Sequence, residues 1–201
     1  MTRTLLALSL AGCSVADQID YYTDTGDSDA PAADTDPGDT TDDLTDTDPA
    51  SVPVVTDPIP FCINELMAVN KGSTTLQNGD TPDWIELYNP TDTPISLQGW
   101  TISDDVNAES PDLLDGLTLQ PFEYLVVYAS GDDTPGDRRM NFTLDDEGEQ
   151  VTVRAPDARR MTVNFPRSTN DMAFARASDC CVGDCWTVIP YGTPAATNAA
   201  P

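Results

Sequence analysis

Two glutamates and five cysteines are the side chains with which this chain could do chemistry. Glu65 and Glu86 sit in apolar settings, flanked by Ile63 and Met67 and by Trp84 and Tyr88. Two carboxyls held roughly 5 to 9.5 Å apart can act as the acid and base of glycoside hydrolysis. Trp84, Trp100 and Trp186 could form a platform for a sugar, and Asp104-Asp105, Asp132-Asp133 and Asp145-Asp146-Glu147 could offer oxygens to calcium. Each of these has a structural reading beside the chemical one. A strand tryptophan is more often core than platform, and acidic groups at strand ends more often rim a solvated loop. None of the acidic runs has the ordered ligand sequence of a twelve-residue calcium loop. The chain contains no histidine, which removes the commonest general base and zinc ligand together. The Cys-x-x-Cys zinc spacing and a glycine-rich phosphate loop are also missing. The expectation is a protein that does not catalyse and holds no cofactor and no metal.

The first cysteine belongs to a different logic. Arg3 supplies a basic start, Leu5 to Leu10 a short apolar run, and Leu10-Ala11-Gly12 places small residues before Cys13. This pattern resembles the signal of bacterial lipoproteins. The resemblance implies cleavage before Cys13, diacylglycerol on its sulfur and an acyl chain on its new amine. Three chains at about 0.8 kcal/mol per buried methylene exceed what stable anchoring requires. The apolar run is too short to span a bilayer, so the expected membrane partner is reached through lipid alone. Ser14 stands where an Asp would resemble the inner-membrane retention signal, which favours the outer membrane or cell surface of a bacterial envelope.

With Cys13 set aside, Cys62, Cys180, Cys181 and Cys185 form an even set that allows three pairings, as suits an oxidising exterior. A bridge between neighbours 180 and 181 would strain the peptide, because the two Cα atoms of a disulfide usually lie at least about 4.4 Å apart. Cys62 is therefore expected to pair with Cys180 or Cys181, and the other of these with Cys185.

Between Ser14 and Asp57 the only charged residues are thirteen aspartates, set among Thr, Pro, Ala, Ser and Gly with few large apolar side chains. Such a segment cannot offset the entropy of ordering, and its like charges repel. A flexible chain of that length spans about 35 Å r.m.s., more when self-repelling. Residues 58–201 carry 22 acids against 8 bases, and the whole chain has a formal net charge of −26. Nucleic-acid binding needs a basic face that replaces counterions. The only cluster, Arg138, Arg139, Arg154, Arg159, Arg160 and Arg167, reads as partners for neighbouring acids, so no nucleic-acid partner is expected.

From residue 60 the pattern changes to short apolar-alternating runs broken by turn formers. Strands are predicted at Phe61–Val69, Trp84–Asn89, Ile95–Ser103, Leu113–Leu119, Tyr124–Ala129, Met140–Leu144, Gln150–Arg154, Met161–Phe165 and Met172–Arg176. Many short strands at this spacing predict an all-β sandwich. Asp83-Trp84-Ile85-Glu86-Leu87-Tyr88-Asn89-Pro90 followed by Leu97-Gln98-Gly99-Trp100-Thr101-Ile102-Ser103-Asp104 resembles the signature of the lamin-tail domain family. Ile63 to Ala68 is similar to that family's first strand, and Leu119 to Gly131 to its central hairpin. Asn141 to Leu144 with Glu149 to Val153 resembles the following pair, and Thr193 to Asn198 the family's closing tail, with Ala195 where Gly is common.

The resemblance implies an immunoglobulin-like β-sandwich, with Glu65 and Glu86 in structural positions that bond loop backbone groups. The expected organisation is a signal peptide at 1–12, a lipidated Cys13 and acidic linker through 59, and a lamin-tail domain over 60–201. The expected function is a non-catalytic surface lipoprotein that displays this domain as a binding or structural module toward a protein or glycan partner. The alternatives are a calcium- or carbohydrate-binding adhesion module, or an accessory protein of an exported hydrolase, since lamin-tail domains often accompany exported enzymes.

Overall fold

The computed structural model describes residues 58–132, 138–183 and 185–198. Cys13 and the aspartate-rich linker through residue 57 lie outside them. Twelve strands and no helix are found among the described residues: β1 Cys62–Met67, β2 Asp83–Tyr88, β3 Ile95–Ser96, β4 Thr101–Ser103, β5 Asp112–Leu113, β6 Thr118–Leu119, β7 Tyr124–Ala129, β8 Arg139–Met140, β9 Gln150–Arg154, β10 Arg160–Asn164, β11 Met172–Arg176 and β12 Trp186–Pro190. No helix there is long and apolar enough to cross a membrane.

These strands form a six-stranded sheet in the order β12-β11-β1-β2-β7-β8, a four-stranded sheet in the order β10-β9-β4-β5, and a β3-β6 ribbon. Every pairing is antiparallel except β7 with β8. The inward face of the larger sheet supplies Ile63, Leu66, Ile85, Leu87, Leu125 and Val127 to a core that Ile102, Val151, Val153, Met161 and Val163 enter from the smaller sheet. Leu97, Trp100, Leu114 and Leu119 join it from the connecting segments, with Phe61 and Trp100 in tilted ring contact at 4.8 Å between centroids. The predicted all-β sandwich is therefore present.

Some strand predictions needed correction. Ile95–Ser103 is two strands, because Leu97 to Trp100 form a turn closed by the Trp100 N–H on the Leu97 carbonyl. Leu113–Leu119 likewise divides around Asp115 and Gly116 into β5 and β6, which pair with different partners. The segment from Leu119 to Gly131 is not a hairpin: β6 pairs with β3, whereas β7 pairs with β2. Asn141 to Leu144 is loop, and the strand near it is Arg139–Met140. β12 was not predicted at all. The two signature segments lie apart, β2 in the larger sheet and β4 in the smaller one. Apolar alternation marks which residues are half-buried, but it does not say which neighbour supplies the ladder bonds.

All six residues of β1 are buried, as are the middle four of β2. A sandwich strand normally keeps one face wet. Here the outer face of the sheet is covered as well, by a small apolar cluster of Met67, Trp84, Val126 and Ala173 and by the chain that follows β12.

A strapped carboxyl cluster as candidate functional site

Glu65 and Glu86 stand directly opposite each other in the β1–β2 register and are fully buried. A bulge in β1 between Ile63 and Glu65 shifts the register. Such an extra residue re-aims neighbouring side chains, and here the carboxamide of Asn64 and the carboxyl of Glu65 both engage groups of the outer face. Asn64 Nδ2 donates to Glu86 Oε1 at 3.0 Å and to Asp179 Oδ1 at 3.1 Å, and its Oδ1 accepts the Cys180 N–H at 3.1 Å.

After β12 the chain turns back across this face as a strap. Tyr191, Gly192 and Ala195 have positive φ, which bends the backbone in a way an extended chain cannot. A Cβ on Gly192 would lie 2.6 Å from Glu65 Oε1 and 2.9 Å from the Trp84 ring, so only glycine permits this close approach. The Thr193 N–H bonds both oxygens of Glu65 at 2.9 and 3.1 Å, and the Thr193 hydroxyl donates to Oε2 at 2.8 Å. The Ala195 N–H donates to Glu86 Oε2 at 2.7 Å. Asp179 anchors the far end, accepting from Asn198 N–H at 2.9 Å, Thr197 Oγ1 at 2.8 Å and the Tyr124 hydroxyl at 2.6 Å. Asn198 Nδ2 in turn donates to the Asn64 carbonyl at 3.0 Å.

Burial dominates the acidity of the two glutamates. It pushes Glu86 up to about 8 against the opposing hydrogen bonds from Asn64 and Ala195, with help from the neighbouring charges of Glu65 and Asp179. Burial also raises Glu65, opposed by the two Thr193 bonds. Asp179 is only half-buried. Desolvation pushes it upward, but hydrogen bonds from Tyr124, Asn198, Thr197 and Asn64 together outweigh that and hold it below the usual carboxylate range. Desolvation, reinforced by the bond to Asp179, raises the Tyr124 phenol. The three carboxyls thus form a clamp on the C-terminal segment, and all four oxygens of the glutamate pair are engaged by protein donors. Glu65 and Glu86 bond loop backbone groups, as the family resemblance implied.

Two disulfides hold the clamp's supports. Cys62 pairs with Cys180, with Cα atoms 5.6 Å apart, and Cys181 pairs with Cys185 at 6.2 Å. The first bridge therefore ties the start of β1 to the residue after Asp179. Arg176 completes this corner and was missed in the sequence, where nothing in its spacing marks it. It is 3% exposed, its Nε donates to the Ile63 carbonyl at 2.8 Å, and its Nη1 donates to the Cys181 carbonyl. Its guanidinium lies 4.4 Å from the Trp186 ring centroid.

The remaining sequence candidates are dispersed. Trp84 and Trp100 are buried, and Trp186 stacks on Phe174 at 4.7 Å between centroids. None of the three offers a sugar an open face. Among the described residues no group of three or more Cys, Asp or Glu is arranged to hold a metal ion. Asp105 and Asp145 accept backbone N–H groups of their own turns, from Asn107 and Glu147, and Asp132 pairs with Arg139; Asp133 lies outside the described residues. Asp104 and Asp146 add instead to the fields around Glu149 and Asp83. Burial raises Asp83 to about 6, although it accepts the Asn70 N–H. Of the arginine cluster, Arg139 bridges Asp80 and Asp132, Arg159 pairs with Asp157, and Arg167 pairs with Glu147. Arg154 instead donates to the Val106 carbonyl, and Arg138 lies over Tyr128.

Comparison with known proteins places these features. No curated protein and no solved structure matches the chain. The family model of the lamin tail domain matches residues 58–166, from just before β1 to just after β10. β11, β12 and the strap lie beyond the match, yet β11 pairs with β1 and completes the same sheet. With more than half of its length matched and an all-β sandwich around that match, the chain belongs to the lamin tail domain family.

Proposed function

We propose that this protein is a lipid-anchored, non-catalytic module of a bacterial cell envelope, held at the outer membrane or cell surface, that displays its lamin tail domain for binding or structural work. The observation that carries the reading is Leu10-Ala11-Gly12-Cys13 behind a basic, leucine-rich start and ahead of a segment charged only by aspartate. Acylation of Cys13 anchors the chain, and the acidic linker separates the domain from the headgroups. Two disulfides suit an oxidising compartment. The absence of catalysis is supported by the clamp. The glutamate pair that could resemble an acid and a base has its oxygens engaged by Asn64, Thr193 and Ala195, and the strap lies where a substrate would approach.

Metabolic labelling with a fatty-acid analogue tests the anchor. Label is expected on the wild type and lost in Cys13→Ala, which should leave the membrane fraction. Label that persists in Cys13→Ala would sink the proposal.

A further inference from the structure

The larger sheet ends in β12 and β8 and the smaller one in β10 and β5. A free edge offers unpaired N–H and C=O groups to another chain, and proteins guard such edges with short strands, charge or proline. β5 and β8 are two residues each, and β10 opens with Arg160. β12 is five residues long and carries no charge, and Thr187, Val188 and Pro190 in it are exposed. Its one guard is Pro190, at the last position.

The register with β11 determines which groups of β12 are free. The Ala177 N–H bonds the Cys185 carbonyl and the Tyr191 N–H bonds the Asp171 carbonyl. Between these two points Ala175 faces Thr187 and Ala173 faces Ile189. Bonded and non-bonded pairs alternate along an antiparallel ladder, so Thr187 and Ile189 turn their backbone groups to β11, and Trp186, Val188 and Pro190 turn theirs outward. Pro190 fits that assignment, because an outward position is where a missing N–H breaks no ladder bond. The free edge therefore presents the N–H groups of Trp186 and Val188 and the carbonyls of Trp186, Val188 and Pro190, and no described strand pairs with them.

Side chains alternate across the same strand. Val188, 52% exposed, stands opposite Phe174, and Phe174 stacks on Trp186. These three make an apolar shelf beside the free edge. A strand added there lays every second side chain along the shelf. Charge then selects the partner. Residues 58–201 carry 22 acids against 8 bases, and from Ala177 to the last residue there are two aspartates and no base. Arg176, which lies against the Trp186 ring, is buried. A second copy of this chain brings the same acidic surplus and is repelled, whereas a basic segment is attracted. We propose that β12 docks an extended segment of a partner protein that bears lysine or arginine and adds to the larger sheet as a further strand. Backbone bonds at Trp186 and Val188 hold it, the shelf selects apolar residues at alternate positions, and the acidic domain selects its charge. This rests on the reading of a displayed binding module and names the class of its partner.

The test follows the fluorescence anisotropy of a labelled Lys-Thr-Val-Thr-Val-Thr-Lys peptide titrated with the full chain in detergent at about 150 mM salt. The lysine peptide is expected to bind. The same peptide with Glu for both lysines should bind about tenfold more weakly. A version N-methylated at every residue between the lysines keeps the charge but cannot form a ladder, and should not bind. Val188→Pro removes an outward N–H and leaves the bonds to β11 in place, so it should weaken binding about tenfold or more with little change in melting temperature. The N-methylated peptide keeps the proposal testable if Val188→Pro does not fold. The proposal is overturned if the lysine peptide does not bind, if the Glu or the N-methylated version binds as tightly, or if folded Val188→Pro binds like the wild type. It is also overturned if sedimentation shows the full chain pairing with itself in a dimer that Val188→Pro dissolves. None of these readouts depends on acylation of Cys13, so failure here and failure of the anchor reading are distinguishable.

Discussion

Raising the pH from 6 to 8.5 should destabilise this domain, and Glu86→Gln should abolish most of that loss. Glu86 titrates near 4.5 when unperturbed and near 8 in the folded protein. Because its folded value is the higher one, the folded state holds a proton that the unfolded chain has released. Stability is therefore fully present below about pH 4.5 and is lost as pH rises through 8. At about 1.4 kcal/mol per pH unit, the part that falls between pH 6 and 8.5 is about 2.5 kcal/mol. For a domain of this size that corresponds to a melting temperature about 8 to 10 °C lower.

The window is unusually clean. With no histidine in the chain, Asp83, at about 6, has the same sign and adds only about half a kcal/mol above pH 6, and Glu65, raised by burial, acts in the same direction. Thermal melts at fixed ionic strength read the effect directly, and moderate salt limits the general self-repulsion of an acidic protein. Glu86→Gln keeps the shape but cannot ionise. Its amide nitrogen meets an N–H from Asn64 or Ala195, so the variant should start about 1 to 3 kcal/mol less stable at pH 6 and nearly match the wild type at pH 8.5. A wild-type melting point that is flat or rises across this window would refute the reasoning, as would a slope retained in Glu86→Gln.

The Cys62–Cys180 bridge closes a loop of 118 residues and the Cys181–Cys185 bridge one of 4. In the chain-entropy model removing the first should cost about 5 kcal/mol and the second about 2. Denaturant melts of Cys62→Ala/Cys180→Ala and Cys181→Ala/Cys185→Ala check the order, and peptide mapping without reductant checks the pairing. Gly192→Ala forces a Cβ against Glu65 and Trp84. It should cost about 1 to 3 kcal/mol and increase amide exchange at Thr193 and Ala195; unchanged protection there would remove the strap from the account of the buried glutamates. Calcium at micromolar concentration should leave the melting point where a chelator leaves it in about 150 mM salt, and a saturable rise of many degrees would make Asp104, Asp105, Asp145 and Asp146 the first positions to substitute.

The local pattern of this chain was enough to reveal its class. Tyr124–Ala129, Gln150–Arg154 and Met172–Arg176 read as strands in the sequence and are strands with those bounds. Alternating burial is imposed residue by residue, and it leaves a trace in composition whichever strand lies alongside. The same holds for Glu65 and Glu86, whose apolar neighbours announced two carboxyls in strands. Pairing leaves no such trace. Whether β2 bonds β4 or β7, whether Cys62 meets Cys180 or Cys181, and whether the segment after Leu119 folds back on β3 depend on contacts between residues tens of positions apart.

The clamp was hidden for the same reason. Thr193, Ala195 and Asn198 reach Glu65, Glu86 and Asn64 across 109 to 134 residues of sequence. Only the folded sheet brings them together, in a place dry enough to change the acidity of Glu86. Local sequence determines which side chains leave water; the tertiary structure alone decides which of them then share a buried site.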